Sequence, residues 1–123
     1  MYKRQVSVKE PLRYLALSNT IRSALTTWGK TLSNEVAKSN ITVNNILTGY
    51  FNTERLEQLN SEKAKKMGVK VEEVFDAMKN QVPAKRIGNP KEFGYLATFL
   101  SSDYASYING INIAIDGGLI KSL

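Results

Sequence analysis

Ser18 and Arg22 are the residues of this 123-residue chain whose types and spacing most invite a chemical reading. They stand four apart in a stretch with helical periodicity, so a hydroxyl and a guanidinium share one helix face. What such a pair can do is bounded by what the chain lacks, because it contains no histidine and no cysteine. Ser-His-Asp catalysis, His-ligated zinc, thiolate metal sites and disulfides are excluded together. A serine hydroxyl has no useful acidity near neutral pH without an adjacent base. Arg22 keeps a fixed charge and a bidentate fork, suited to a ribose, a phosphate or a carboxylate. The plainer alternative is a small packing serine beside a surface arginine. Asp116-Gly117-Gly118 offers a third acidic or phosphate-binding candidate, but one carboxylate without partners is a weak ligand, and the structural reading is preferred.

Net charge is +6, which raises the question of nucleic acid. The densest basic run, Lys63, Lys65, Lys66 and Lys70, is interleaved with Glu62, Glu72 and Glu73. That pattern marks a solvated helix face, not a clustered footprint interleaved with aromatics, so no nucleic-acid partner is expected. The first residues, MYKRQVSVKEP, carry basic side chains without an apolar stretch, and no apolar run approaches membrane-spanning length. A soluble, cytoplasmic protein without membrane partners is the expectation.

The elements that must hold these residues follow from periodicity. Val6 and Val8 alternate with polar residues before Pro11, as in the stump of a strand. A long helix is expected over 13–38, with Leu17, Ile21, Ala24, Trp28, Leu32 and Val36 as one apolar stripe, ended by Ser39-Asn40. Residues 41–47, rich in β-branched side chains, read as a strand that stops at Thr48-Gly49. Asn52 or Thr53 can cap a helix that Gly68 stops. A second helix over 71–80 places Val71, Val74, Phe75 and Met78 on one side. Asn89, Pro90 and Glu92 supply an N-cap, an N1 proline and a near capping box. Behind them Phe93, Leu96, Ala97 and Leu100 form an expected buried stripe. Ile111 to Ile115 alternate into a last strand. Helices alternating with strands imply a parallel α/β sheet, yet two strands make an incomplete one.

The segment RIGNPKEFGYLATFLSSDYASYINGINIAIDGGL, from Arg86 to Leu119, resembles the C-terminal part of the short-chain dehydrogenase/reductase family. The likeness runs from Ser7 onward and includes KTLSNEVAKSNITVNNILTGYFNT, from Lys30 to Thr53. It implies the C-terminal part of a Rossmann-like, doubly wound parallel sheet, as a single partial domain over the whole chain. It also implies NAD or NADP as the cofactor of the complete fold. Gly49 and Thr53 stand at the glycine and threonine of the family's Pro-Gly-x-x-x-Thr loop, Phe51 at its usual aliphatic, and Thr48 at the proline. These three, Gly49, Phe51 and Thr53, are the cofactor-binding positions that the resemblance assigns.

Members of the family act through a Tyr-x-x-x-Lys pair on the long helix. Ungapped counting from Lys30 to Glu35 puts Ser18 at the tyrosine and Arg22 at the lysine, which resembles a divergent Ser-Asn-x-x-Arg branch labelled oxoacyl-carrier-protein reductase-like. Tyr14 is a tempting substitute, but recruiting it would rotate the helix against its apolar stripe, so it reads as an ordinary, partly buried tyrosine. The family's catalytic serine would fall at Gln5, with Ser7 two residues away. Its glycine-rich phosphate loop has no counterpart in the sequence. The resemblance therefore implies an oxidoreductase-family fragment that binds no cofactor alone and needs a complementing N-terminal half. The alternative is a non-enzymatic oligomerisation module. An open strand edge and the apolar face of Ile21, Leu25 and Trp28 also favour a homo-oligomer.

Overall fold

The computed structural model describes residues 8, 9 and 14–122. Gln5, Ser7, Val6, Pro11 and the expected helix start at Arg13 lie outside them. Helix α1 spans Ala16–Val36 and runs into a 3₁₀ turn, Ala37–Ser39, where Asn40 takes the left-handed conformation (φ 57°) and ends it. Strand β1 is Asn45–Thr48, followed by α2, Glu54–Met67, and α3, Val71–Gln81. Helix α4, Pro90–Leu100, leads through a 3₁₀ turn at Asp103–Ala105 to strand β2, Asn112–Ile115. The strands pair in parallel, with Asn45 opposite Asn112 and Thr48 opposite Ile115.

Strand β1 starts later than the β-branched run from Ile41 suggests, because side-chain amides take over its entry. Val43 N–H donates to Asn109 Oδ1 at 2.9 Å, and Val43 O accepts from Gly110 N–H at 2.9 Å. Asn44 Nδ2 donates to Ile108 O at 2.8 Å, while its Oδ1 accepts from Ile111 N–H at 3.3 Å. Asparagine side chains compete well for backbone groups, and here they replace the first rungs of the ladder and fix its register.

The helix termini follow their capping chemistry. Thr53 Oγ1 accepts from Leu56 N–H at 3.3 Å and opens α2, and Gly68 closes it with φ 67°. At α4, Asn89 Oδ1 accepts from Lys91 N–H at 2.9 Å and Glu92 Oε2 accepts from Asn89 N–H at 2.7 Å, so the near capping box is a formed one.

The core does not lie under α1. Tyr50, Leu56, Met78 and Val82 are buried together, with Phe75, Ile87 and Leu119 packed against them, beneath the loop that leaves β1. Val74 and Met78 face inward as the α3 periodicity requires. The apolar face expected at Ile21, Leu25 and Trp28 is exposed: Leu17 is 75 % exposed, Ile21 60 % and Trp28 59 %, whereas the buried residues of the helix are Gly29 and Ser33. The helix meets the strands on its small-residue side: a Cβ at Gly29 would stand 3.2 Å from Asn45 Nδ2, and Ser33 O accepts from Asn109 Nδ2 at 3.0 Å. Small side chains allow that close approach. The expected buried stripe of α4 is a correction, since no residue of α4 is buried and Phe93 is 38 % exposed. This helix is held at its start by the capping box and by Phe51, and the described chain does not close over its apolar face.

Candidate functional site

The candidate residues gather around the C-terminal ends of the two strands and the free edge of β1. Gly49 N–H donates to Ile115 O at 3.0 Å, extending the pairing by one rung. A Cβ at Gly49 would lie 2.7 Å from both Cα and Cβ of Asp116, so the close approach of the two strand ends requires glycine. Asp116 is a structural residue, as the sequence suggested. Its Oδ1 accepts from Gly118 N–H at 2.9 Å and its Oδ2 from Ile120 N–H at 2.7 Å. Among the described residues, no cluster of acidic side chains is arranged to hold a metal ion.

The loop after Gly49 is anchored, not open. Phe51 forms an isolated bridge with Gly88: Gly88 N–H donates to Tyr50 O, and Asn52 N–H to Gly88 O, both at 2.9 Å. The Phe51 ring meets Phe93 edge-on, with centroids 6.4 Å apart. Sequence reasoning missed this strap, although Gly88 carried the signal, since a Cβ there would stand 3.0 Å from the Phe51 ring. Thr53 sits apart from the strand ends, its hydroxyl engaged as the α2 cap.

Beside the strap, Arg86 grips Glu92 through two hydrogen bonds of 2.8 and 2.6 Å. The Arg86 hydrogen bond, joined by the Asn89 N–H bond, pulls the Glu92 carboxyl down to about 2, and Glu92 in turn raises Arg86. The sequence analysis assigned Glu92 to the cap and did not find the ion pair.

Ser18 and Arg22 meet on α1. Arg22 Nε donates to Ser18 Oγ at 3.2 Å, and both side chains are partly buried. Arg22 borders an open hollow of about 360 Å³ together with Leu25, Thr26, Asn45, Thr48 and Phe93. This hollow follows the edge of β1 that β2 leaves free. Asn45 and Gly49 direct their N–H groups to β2, so by the alternation of a parallel ladder Ile46 and Thr48 direct theirs to the other edge. Among the described residues no strand pairs there. Thus Arg22 and Thr48 share one hollow, Ser18 is tied to it through its bond to Arg22, and Phe51 touches its rim through Phe93, while Thr53 stays outside it. Tyr14 is 93 % exposed, which corrects the expectation of partial burial and leaves it away from the site.

A dinucleotide asks for two things, a seat for the nicotinamide end and helix-terminal amides for the pyrophosphate. The strand ends supply candidates for the first. For the second, Thr53 takes one first-turn amide of α2 and Asn89 one of α4, at Leu56 and Lys91, while α1 and α3 carry no side-chain cap bond on theirs.

Comparison with known proteins bears on the same residues. The family model described as Enoyl-(Acyl carrier protein) reductase matches residues 8–120. The chain is 35 % identical over 115 residues to the NADPH-dependent reductase BacG of Bacillus subtilis, covering 94 % of this chain and 44 % of that one. It is 32 % identical over 90 residues to the 3-oxoacyl-[acyl-carrier-protein] reductase MabA of Mycobacterium bovis, covering 73 % of this chain and 32 % of the other. The crystal structure of L-sorbose reductase from Gluconobacter frateurii, complexed with NADPH and L-sorbose, matches with a TM-score of 0.90 at 32 % identity, over 96 % of this chain and 45 % of that one. The chain thus spans less than half the length of the proteins it resembles. Among the described residues, no helix is long and apolar enough to cross a membrane.

Proposed function

We propose that this chain, which belongs to the short-chain dehydrogenase/reductase family, is the nicotinamide-side and substrate-covering half of an NAD(P)-dependent oxidoreductase, without hydride transfer of its own. The observation that carries this reading is the free edge of β1 running along the hollow that Arg22 borders. A parallel sheet is stable with its edges paired and both faces covered. A complementing N-terminal half would pair the edge and close the hollow over Arg22 and Thr48. More than half of the length of these relatives lies beyond the region this chain matches. The nicotinamide cofactor would supply the hydride.

In that assembly Gly49 lets the loop cross Asp116, and Phe51 stiffens it through Gly88 and Phe93. Ser18 and Arg22, at the positions of the family's Tyr and Lys, act as a hydrogen-bonded positioning pair. Arg22 offers a bidentate fork that orients and neutralises an anionic or hydroxyl-bearing group. The test mixes the purified chain with the upstream half of the B. subtilis reductase and follows NADPH oxidation. Activity above that of either part supports complementation. A mixture that associates and remains inert favours the second reading.

That second reading is a non-enzymatic interaction module. It is favoured by the outward apolar stripe of α1, where Leu17, Ile21 and Trp28 are exposed on the side away from the strands. A second copy of the chain is the occupant this stripe suits. It lies on a different flank of the helix from Gly29 and Ser33, so two copies can join there while the β1 edge stays available to the other half. Both readings share the homo-oligomer and differ in whether the β1 edge is filled.

A further inference from the structure

Of the chain's eleven asparagines, only Asn109 precedes a glycine. Such a dipeptide is chemically fragile, because the unhindered glycine nitrogen can reach the asparagine side chain. In this fold all three reacting groups are occupied. Asn109 Oδ1 accepts from Val43 N–H at 2.9 Å, and its Nδ2 donates to Ser33 O at 3.0 Å. The would-be nucleophile, Gly110 N, donates its proton to Val43 O at 2.9 Å. Gly110 is held at φ 70° against α1, where an added Cβ would meet Ser33 Oγ at 2.5 Å.

We propose that Asn109-Gly110 is a fold-gated deamidation site, closed in the native chain and opened when α1 and the strand entry separate. In the open state Gly110 N loses its proton and attacks Asn109 Cγ. The C–N bond to the side-chain amide breaks, ammonia leaves, and a five-membered succinimide forms. Water then opens the ring at either carbonyl to give aspartate or isoaspartate. No oxidant or reductant takes part.

The product cannot close the junction again. An aspartate at 109 offers an acceptor where Ser33 O needs a donor, and it sets a negative charge in a partly buried place. Isoaspartate lengthens the backbone by one methylene three residues before β2 begins, which shifts the register set by Asn44 and Asn109. A chain that opens long enough is thereby marked and kept from refolding to the same state. The inference is independent of the cofactor reading, since it concerns only the junction of α1, β1 and β2.

The test incubates the purified full chain at mildly alkaline pH, with and without urea. Peptide mapping follows the NH₂-to-OH mass change at Asn109 and the isoaspartate content. The native chain should react at least tenfold more slowly than the urea-unfolded chain. The variant Asn44→Ala, which loosens the neighbouring amide contacts and leaves the dipeptide intact, should react faster than wild type in native buffer. Equal rates for the native and unfolded wild-type chain would overturn the proposal whether or not the variant folds. So would an Asn109→Asp chain that melts at the wild-type temperature.

Discussion

Arg22 Nε donates to Ser18 Oγ at 3.2 Å across one turn of α1, on the flank of the helix that meets the strands. The bond commits the serine oxygen as an acceptor for a permanently charged donor. It leaves the rest of the guanidinium toward the hollow beside β1. A positioning pair suits that arrangement, because the chain has no histidine to serve the serine hydroxyl as a base.

The double variant Ser18→Tyr with Arg22→Lys is therefore expected to show no hydride transfer in the isolated chain. It would restore the family's residue types on the right helix face with no held cofactor to act on. NADPH oxidation by this variant alone, above the background of the wild-type chain, would show that the chain holds its cofactor without help.

Gly49→Ala should destabilise the fold by about 2 kcal/mol or more, since its Cβ would press on backbone atoms that have no rotamer to change. The clash distance is 2.7 Å to Asp116 Cα. Urea denaturation checks this, and a midpoint equal to wild type would mean that the two strand ends can part at little cost.

Much of the fold is legible in the sequence because capping and turn chemistry is local. Thr53, Gly68, Asn89 and Asn40 act where their types suggest, and the helices and the parallel pair follow. The α4 stripe was misjudged, and the side of α1 that meets the strands was missed, for a reason periodicity cannot supply. It reveals that a helix has an apolar face, not which neighbour that face meets. Gly29 and Ser33 carry α1 onto the strands by being small, and small residues leave no hydrophobic signal. The asparagine contacts of residues 44 and 109 were likewise hidden, because they bridge more than sixty residues of chain. At the candidate site, Ser18 and Arg22 were found by ungapped counting. The Phe51–Gly88 strap and the Arg86–Glu92 pair needed the tertiary structure.

Acid should weaken the start of α4 through Glu92. Its folded carboxyl lies at about 2, below the unfolded value of about 4.3. A depressed folded pKa stabilises above the unfolded pKa and loses that contribution as pH falls from about 5 toward 2. The pair is solvent-accessible, so the effect should be modest and shrink with added salt. Glu92→Gln should lower the melting temperature at pH 7 and flatten its pH dependence across this window. An unchanged acid limb in the variant would assign the acid sensitivity to another carboxylate.

Light scattering at tens of micromolar should give a symmetric dimer or larger closed assembly, because the outward stripe of α1 and the free edge of β1 are both costly to expose. Trp28→Glu should shift the assembly toward smaller species. A monodisperse wild-type particle near the chain mass of 13.7 kDa would argue that neither surface is used.

Titration of the purified chain with NADPH, by calorimetry, is the most direct measurement of whether these residues make half of a cofactor site. The sequence has no glycine-rich phosphate loop, and Thr53 and Asn89 each already take a first-turn amide of α2 and α4. The chain alone should give no saturable heat, and binding should emerge only when a matching upstream half is added. Micromolar, stoichiometric binding to the chain alone would contradict this, since it would require a pyrophosphate seat among residues that otherwise complete only the nicotinamide end.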